Sequence, residues 1–386
     1  MKIETVTSHI LQYQLPHPLG YSQQFYRHRT AHLVEVTTDT GLTGWGECFG
    51  PGPVAHANRA IIEHVFKPRL LGADPLARDV LWHTLYNATR DHGQKGMPIQ
   101  ALSGIDIALW DLAGKHHGVP LSTLLGGRFR DTVPVYGYGM MLEPRDDLEE
   151  RFAAEARALE AAGFGALKMK IGKGVNEDIR LAESVRGAIR DDTKLMADAN
   201  HAYHTADAFK VGRALAELGV EWFEEPVAPE DLDGYAELRQ GLSVNIAGGE
   251  AEYTRWGWRP FLERRCVDIA QPEVCSLGGI SEFQRVMALA EAHFTPVINH
   301  VWGSAVSVAV NLQLLAAQAP MPGGLFPSEP MLEFDTTHNA FRDELSLEPL
   351  GIAQSVAKTG RAMVPARPGH GVTPNPDVLA RYALPR

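Results

Sequence analysis

The chain has 386 residues, of which 45% are hydrophobic and 22% charged, a composition typical of soluble globular proteins. Its length predicts two domains, or one barrel with an additional domain. With 36 Lys and Arg against 47 Asp and Glu, the net charge is −11 at pH 7, which argues against a nucleic acid or an anionic membrane as partner. An anionic substrate would therefore need local help from lysines or a metal ion.

The cysteines and the N-terminal sequence indicate in which cellular compartment the protein is expected. Cys48, Cys266 and Cys275 are widely spaced and form no CxxC motif, which indicates a reducing compartment without a disulfide framework. The N-terminus lacks the apolar core of a signal peptide, and no stretch approaches the about 18 apolar residues of a membrane-spanning helix. We therefore expect a cytoplasmic protein.

Residues 1–126 are predicted to form an α+β unit. Strands are expected over Ile3–Tyr13 and Ala31–Thr38, with a polar-aromatic loop, Gly20–Arg29, between them. A second loop, Gly50–Pro53, follows Glu47. Apolar residues at helical spacing then predict three helices, at Ala57–Leu71, Pro75–Asn87 and Ala101–Lys115.

From Val133 onward, short strands alternate with amphipathic helices. The predicted strands are Val133–Gly137, Ala166–Ile171, Lys194–Ala197, Val220–Phe223, Val244–Ala247, Val267–Ala270, Thr295–Ile298 and Gly324–Phe326. The predicted helices are Asp147–Ala162, Val175–Ile189, Ala206–Glu217, Leu232–Gln240, Arg255–Glu263, Ile280–Ala292 and Ala305–Ala317. This alternation predicts an α/β fold, a (β/α)7β modified TIM barrel, over residues 127–356. Residues 1–126 would form an N-terminal capping domain, completed by the Pro/Gly-rich tail, residues 357–386.

Two lysines share one face of the second predicted barrel strand. Within Gly165–Gly172 the side chains of Lys168 and Lys170 point one way, because side chains two apart on a strand lie on the same face. In a barrel this face points into the interior, where burial and mutual repulsion would lower the lysine pKa values. A lysine so affected can act as a general base near neutral pH. Taken alone, the pair would more often be two solvated lysines on an edge strand.

Polar residues follow the next predicted strands at intervals of 23 to 28 residues, about one β/α repeat. They are Asp198 with Asn200, Glu224, Glu250, Glu273 and His300. Three acids on adjacent strands, Asp198, Glu224 and Glu250, would repel one another without a cation. Ligation by oxygen alone favours Mg²⁺, or Mn²⁺, over Zn²⁺. Glu225 and Trp302 are interpreted as structural residues.

These motifs resemble the enolase superfamily, in its mandelate racemase group, over essentially the whole chain. The motifs that carry the resemblance are Ser103–Asp111, Lys168-Met169-Lys170, Asp198-Ala199-Asn200, Glu224-Glu225-Pro226, Gly248-Gly249-Glu250 and His300. The resemblance implies that Asp198, Glu224 and Glu250 bind one Mg²⁺ per subunit. Further stretches look like the D-galactarolactone cycloisomerases and acid-sugar dehydratases of that family.

The resemblance also implies roles for the remaining site residues. Lys170 would be the base on one face of the substrate and His300 the acid or base on the other, while Lys168 would tune Lys170. Glu333 matches the family's stabilising glutamate after strand eight, with Glu329 as a weaker candidate. Glu273 stands where the family usually pairs its histidine with an aspartate, so the longer side chain would shift His300 or require compensation.

The reaction implied by the resemblance begins with removal of a proton α to a carboxylate. Loss of a β-oxygen would then give a 2-keto-3-deoxy acid from a sugar acid or an aldarolactone, whereas return of the proton would make the enzyme a racemase or epimerase. A Schiff-base aldolase acting through Lys170 and a non-catalytic sugar-acid sensor remain as alternatives. Tyr26, Arg27, His28 and Asn200 are expected to bind the small anionic substrate. The resemblance suggests a homo-oligomer, either a dimer or an octamer.

Overall fold

The computed structural model describes residues 1–321 and 323–385. Its first sheet is antiparallel, in the order β1 (Ile3–Tyr21), β2 (Gln24–Thr38) and β3 (Thr43–Cys48). The predicted loop Gly20–Arg29 is wrong, since these residues form the end of the β1–β2 hairpin. The ladder resumes after an irregularity between Gln14 and Leu19. The aromatic residues of this stretch favour strands, which the interpretation as a polar loop overlooked.

Helices cover one side of this sheet. The longest, α4 (Met97–His117), lies so close to β3 that a side chain on Gly46 would come 2.0 Å from the carbonyl oxygen of Gly104. The glycine therefore permits direct contact between strand and helix. The helices of this part are α1 (Val54–Ile61), which continues through a π-helical turn (Ile62–Phe66) into α2 (Lys67–Leu70), then α3 (Arg78–Thr89), α4 (Met97–His117) and α5 (Leu121–Leu124).

The strands of the second sheet are β4 (Thr132–Tyr138), β5 (Ala166–Lys170), β6 (Lys194–Asp198), β7 (Trp222–Glu224), β8 (Asn245–Gly248), β9 (Ile269–Ala270) and β10 (Leu332–Asp335). The sheet is parallel along its main path, in the order β10-β4-β5-β6-β7-β8-β9, and β9 continues through a bridge between Ala270 and Val297. The predicted (β/α)7β class, with an N-terminal capping unit, is confirmed.

The helices that alternate with these strands agree with the predicted positions. They are α6 (Leu148–Ala161), α7 (Val175–Arg186), α8 (Thr205–Glu217), α9 (Leu232–Gly241), α10 (Thr254–Glu263), α11 (Gly279–Ala292) and α12 (Ala305–Ala317). Two short helices, α13 (Ala340–Asp343) and α14 (Ile352–Thr359), follow β10. Among the described residues, no helix is both long and apolar enough to span a membrane.

The predicted eighth strand, Gly324–Phe326, is wrong. Leu325 and Phe326 are 92% and 97% exposed, and the strand lies at Leu332–Asp335 instead. This strand carries two acids, Glu333 and Asp335, and charged residues are not expected in a buried strand. Both acids are paired with buried cations in the folded chain.

The C-terminal residues contact both parts of the molecule. β11 (Arg361–Met363) pairs antiparallel with β4, whereas α15 (Pro376–Tyr382) packs near β1 and Ala383 bridges to Leu11. The domain boundaries given above remain a prediction, because the tail joins the barrel as well as the capping unit.

An apolar layer fills the barrel below its polar end. It takes one buried side chain from each of six strands: Tyr136, Ala166, Met196, Trp222, Ala247 and Ile269. Because alternate residues of a strand share a face, the next inward positions on β5, β6 and β7 are Lys168, Asp198 and Glu224. The barrel interior is therefore apolar at one level and strongly charged at the level above.

Candidate active site

Three carboxylates converge at the carboxyl ends of adjacent strands. Asp198 ends β6 and Glu224 ends β7, where the two residues pair in register, and Glu250 lies two residues beyond β8. One oxygen from each of the three lies within 4.8 Å of the others. Within the described part of the chain, Oε2 of Glu250 is buried and accepts no hydrogen bond, although His300 Nε2 lies 3.2 Å away. A compact cluster of oxygen donors that includes an atom without a hydrogen bond fits a hard divalent cation.

The two lysines of β5 point into this cluster. Lys168 Nζ donates to Glu224 Oε1 over 2.6 Å and lies 2.5 Å from Glu333 Oε1. Lys170 Nζ contacts Asp198 Oδ2 and donates to the side-chain oxygen of Asn200 over 2.8 Å. Lys168 is therefore held by acids of β7 and β10, each two strands away from β5, and Lys170 by an acid of the adjacent β6.

These ion pairs reverse the expected lysine pKa shifts. Burial is the largest single effect and acts to lower the pKa of both lysines, but the combined attraction of the surrounding acids outweighs it, led by Glu224 and Glu333 for Lys168 and by Asp198 for Lys170. Both pKa values are raised, so the predicted lowering is wrong for the protein alone. Burial raises the pKa of Glu224 to about 7, whereas the combined effect of Lys170, Lys168 and the hydrogen bonds that Asp198 accepts outweighs burial and lowers the pKa of Asp198 to about 2. The acids near the lysines outnumber them, which no local sequence pattern reveals.

His300 lies on the other side of the triad. Its Nδ1 is 2.7 Å from Glu273 Oε2, and its Nε2 is 3.2 Å from Glu250 Oε2. The other oxygen of Glu273 accepts a hydrogen bond from the backbone N–H of Cys275 over 2.8 Å. Burial opposes protonation, but Glu250 and Glu273 raise the pKa of His300 to about 10. The longer glutamate arm therefore reaches the imidazole.

Glu333 connects the lysines to the segment that carries His300. It stands within β10 rather than after strand eight, because that strand was predicted too early. One oxygen pairs with Lys168, and the other accepts from the backbone N–H of Val301 over 2.9 Å. Glu329, the weaker alternative for this position, pairs with Arg361 over 2.7 Å.

A cavity of about 560 Å³ opens over these groups, and both parts of the molecule line it. The predicted site residues that line it are Lys170, Asn200, Glu250, His300, Tyr26, Arg27 and His28. Arg29 is not among these cavity-lining residues. Its guanidinium is buried and donates to Asp335 Oδ2 over 2.7 Å. The end of the β1–β2 hairpin thus contributes a wall of the cavity.

Sequence reasoning missed four further lining residues, Trp302, Tyr138, Phe49 and His56. Trp302 had been interpreted as a packing residue, although its place two residues after His300 was a usable signal. Tyr138 continues the inward face of β4, and its ring centre is 5.0 Å from Lys170 Nζ. Phe49 and His56 arrive from the capping unit, and their position depends on packing that no local pattern reveals.

Glu225 is buried beside the site rather than directed away from it. Its Oε2 lies 3.4 Å from Asn200 Nδ2 and 3.2 Å from His201 Nε2. Its φ of 43° is unusual for a residue other than glycine. The side chain therefore supports Asn200 from behind, on the side opposite Lys170.

This fold and this arrangement of charged residues define an enzyme of the enolase superfamily, a lyase or isomerase, and the chain belongs to that family. Residues 3–126 match the family model of the mandelate racemase / muconate lactonizing enzyme N-terminal domain. Residues 151–378 match the enolase C-terminal domain-like model.

Within this family, the chain is similar to several enzymes that act on sugar acids or their lactones, by the names those enzymes carry. The chain is 43% identical, over the full length of both proteins, to the D-galactarolactone cycloisomerase of Agrobacterium fabrum (strain C58). The crystal structure of the 3,6-anhydro-D-galactonate cycloisomerase from Zobellia galactanivorans has a TM-score of 0.88 at 34% identity and covers both chains fully. L-talarate/galactarate dehydratase from Salmonella typhimurium LT2, liganded with Mg and L-lyxarohydroxamate, has a TM-score of 0.86 at 28% identity, covering 100% of this chain and 93% of that one.

Proposed function

We propose that this enzyme removes the proton α to the carboxylate of a sugar acid or aldarolactone and then eliminates a β-oxygen to give a 2-keto-3-deoxy acid. Opening of an aldarolactone is the form we favour, because the full-length relative at 43% identity is a D-galactarolactone cycloisomerase. The observation that carries the proposal is the flanking of one carboxylate triad by Lys170 and His300. Both line the same cavity as Glu250.

Asp198, Glu224 and Glu250 are the proposed holders of Mg²⁺. A bound Mg²⁺ would supply positive charge beside the substrate carboxylate, where a second negative charge develops as the α-proton leaves. If Asp198 held the cation, its negative charge would be shared and would stabilise the Lys170 ammonium less. Lys170 Nζ would then lose its proton more readily and act as a base. Lys168 stays paired with Glu333, so positive charge remains beside the enediolate.

The chemical steps are assigned to named atoms. Lys170 Nζ or His300 Nε2 takes the α-proton, and the C–H electron pair moves into the carboxylate to form an enediolate. These electrons return to form the Cα–Cβ double bond as the β C–O bond breaks. A departing hydroxyl takes a proton from His300 and leaves as water, whereas a lactone oxygen leaves as a carboxylate and needs no proton. The enol product then tautomerises to the 2-keto acid.

The cavity wall from the capping unit is proposed to select the substrate. Arg27 and His28 supply cationic groups for a distal carboxylate, and Tyr26 closes the side of the cavity next to Trp302, whose ring centre is 6.1 Å away. A polyhydroxylated diacid or its lactone matches this mixture of polar and cationic groups better than an aryl substrate does.

Deuterium incorporation from D₂O, read by NMR on D-galactarolactone, galactarate and related acids, tests the function. The wild type is expected to place deuterium in the product, and Lys170→Ala to lose activity by at least about a thousandfold. Lys173→Ala is the matched control, because Lys173 is exposed and pairs with Glu177 on the surface. Turnover with an unchanged rate in Lys170→Ala would contradict the proposal. Trapping with borohydride would instead support a Schiff-base aldolase.

A separate measurement tests the metal site without turnover. If Mg²⁺ binds the folded state and not the unfolded state, adding it raises the melting temperature, and EDTA reverses this increase. We expect Glu250→Gln to abolish the Mg²⁺-dependent shift, whereas Glu263→Gln, an exposed acid at the end of α10, retains it. An undiminished shift in Glu250→Gln would exclude Glu250 from the site.

A further inference from the structure

Glu47 crosses from the capping unit into the barrel. It stands on β3 and is buried, and its carboxylate accepts three hydrogen bonds from the start of α12. Its Oε1 accepts from Ser304 N–H over 2.9 Å, and its Oε2 accepts from Ser304 Oγ over 2.7 Å and from Ser307 N–H over 2.9 Å. A helix N-terminus has unpaired N–H groups and favours an anion there, so the carboxylate satisfies this end of α12.

The same strand end reaches the segment that carries Glu273. Phe49 N–H donates to the carbonyl oxygen of Cys275 over 2.8 Å, and Cys275 N–H in turn donates to Glu273 Oε1. The Phe49 ring centre lies 6.0 Å from that of His300. The end of β3 therefore contacts the segments that hold both members of the His300–Glu273 pair.

The backbone between His300 and the residues that Glu47 contacts is tightly constrained. Ser304 is four residues after His300, and a side chain on Gly303 would lie 2.9 Å from Glu47 Oε1. Glu333 fixes Val301 N–H, and Asn339 donates to the carbonyl oxygen of Gly303 over 3.1 Å. The backbone from His300 to Ser304 is thus held at both ends, and Glu47 supplies the hold at the far end.

We propose that Glu47 is a positioning residue for the reaction, which sets the place of the His300 imidazole by holding the turn between His300 and α12. The inference rests on the proposed function of His300. It gives the capping unit a part in the proton transfer itself, beyond closing the cavity.

Glu47→Gln tests the inference, because the amide keeps the shape but presents a donor where an acceptor is needed. With D-galactarolactone as probe, we expect kcat to fall by about tenfold or more while KM changes less than about twofold, since small displacements of a catalytic group affect the chemical step most. Glu35→Gln, on the neighbouring strand and paired with His9, is the matched control and should leave both constants unchanged.

Two more measurements separate positioning from a merely structural role. The double variant Glu47→Gln/His300→Asn should be no slower than His300→Asn alone, because residues that act through one group are not additive. Amide hydrogen exchange in Glu47→Gln should quicken over residues 300–308 and stay unchanged around Lys170. If the double variant loses activity by the product of the factors that the two single variants lose, the inference is overturned.

The exchange measurement needs no substrate, so it keeps the two proposals distinguishable. If the wild type turns over none of the sugar acids, the proposed function fails, while unchanged exchange over residues 300–308 would refute the positioning role by itself. Should Glu47→Gln not fold, Ser304→Ala removes one of the same hydrogen bonds from the barrel side. This variant is expected to lower kcat in the same direction by a smaller factor, and an unchanged kcat would overturn the inference.

Discussion

At the scale of single residues, the buried charge of Lys168 is the centre of the site. It contacts Glu224 and Glu333 at 2.6 and 2.5 Å, and all three side chains are excluded from solvent. Removing one partner of a buried ion pair leaves an uncompensated charge, which costs far more than loss of an exposed pair. The site is therefore also a structural element of the barrel.

Lys168→Met is accordingly expected to lower the free energy of unfolding by about 3–5 kcal/mol, measured by urea denaturation in EDTA. Lys194→Met is the matched control, because the exposed Lys194 pairs with Glu221 over 3.0 Å. It should cost less than about 1 kcal/mol. Equal losses in the two variants would show that the buried pairs contribute no more than surface ones.

Sequence reasoning could identify which side chains share a level of the barrel, but not which ones pair. Strand alternation placed Lys168 and Lys170 inward, and the repeat length placed the acids and His300 at strand ends. The pairing of Lys168 with Glu333 depends on the register between β10 and β4, which joins residues about 200 positions apart. The sign of the lysine pKa shifts depends on the acids around each lysine, Glu224 and Glu333 for Lys168 and Asp198 for Lys170, and the prediction made without these pairings was wrong.

At the scale of elements, the β1–β2 hairpin is fixed to the barrel by one buried ion pair. Arg29 on β2 donates to Asp335 at the end of β10, and its guanidinium lies 5.3 Å from the Trp302 ring centre. The stem of the hairpin is therefore anchored beside the cavity, while Arg27 and His28 remain exposed.

Arg29→Met should leave Asp335 buried without its cation and lower the free energy of unfolding by about 3–5 kcal/mol. Arg27→Met, two residues away and exposed, is expected to change it by less than about 0.5 kcal/mol. Adding Asp335→Asn to Arg29→Met should recover part of the loss, because the second change removes the orphaned charge. A double variant less stable than either single one would contradict this account of the pair.

Helices and strands whose apolar residues recur at regular spacing were predictable from the sequence, and those without such spacing were not. The barrel helices lie within three residues of their predicted ends, because an apolar stripe at helical spacing needs only local sequence. β10 was missed since half of its four residues are acids, which only tertiary ion pairs make compatible with burial. The hairpin end was missed because its polar residues face a cavity rather than open solvent.

At the scale of the whole molecule, α4 and α11 meet through a buried acid. Asp106 accepts hydrogen bonds from Ser281 N–H and Oγ over 2.9 and 2.6 Å. Burial raises its pKa from 3.8 to about 7. The folded chain thus binds this proton more tightly than the unfolded chain, so the stabilisation is present at low pH and is lost as pH rises from about 4 to about 7.

The Asp106→Asn variant cannot lose this proton, so its unfolding free energy should fall less with rising pH. Between pH 5 and pH 7 the difference from the wild type is expected to reach about 2–3 kcal/mol, followed by calorimetry at several pH values. Asp79→Asn, an exposed acid paired with Arg285, serves as control and should follow the wild type. Parallel curves for Asp106→Asn and wild type would mean that Asp106 is ionised throughout.

The partners of β4 have a consequence for how the chain is made. β4 pairs with β5, but it also pairs with β10 and β11, which lie roughly 200 residues further along. At ribosomal elongation rates of about 5–20 residues per second, the first barrel strand waits on the order of 10–40 s before those neighbours leave the exit tunnel. A nascent chain arrested before residue 332 should therefore expose β4 to protease and recruit chaperones.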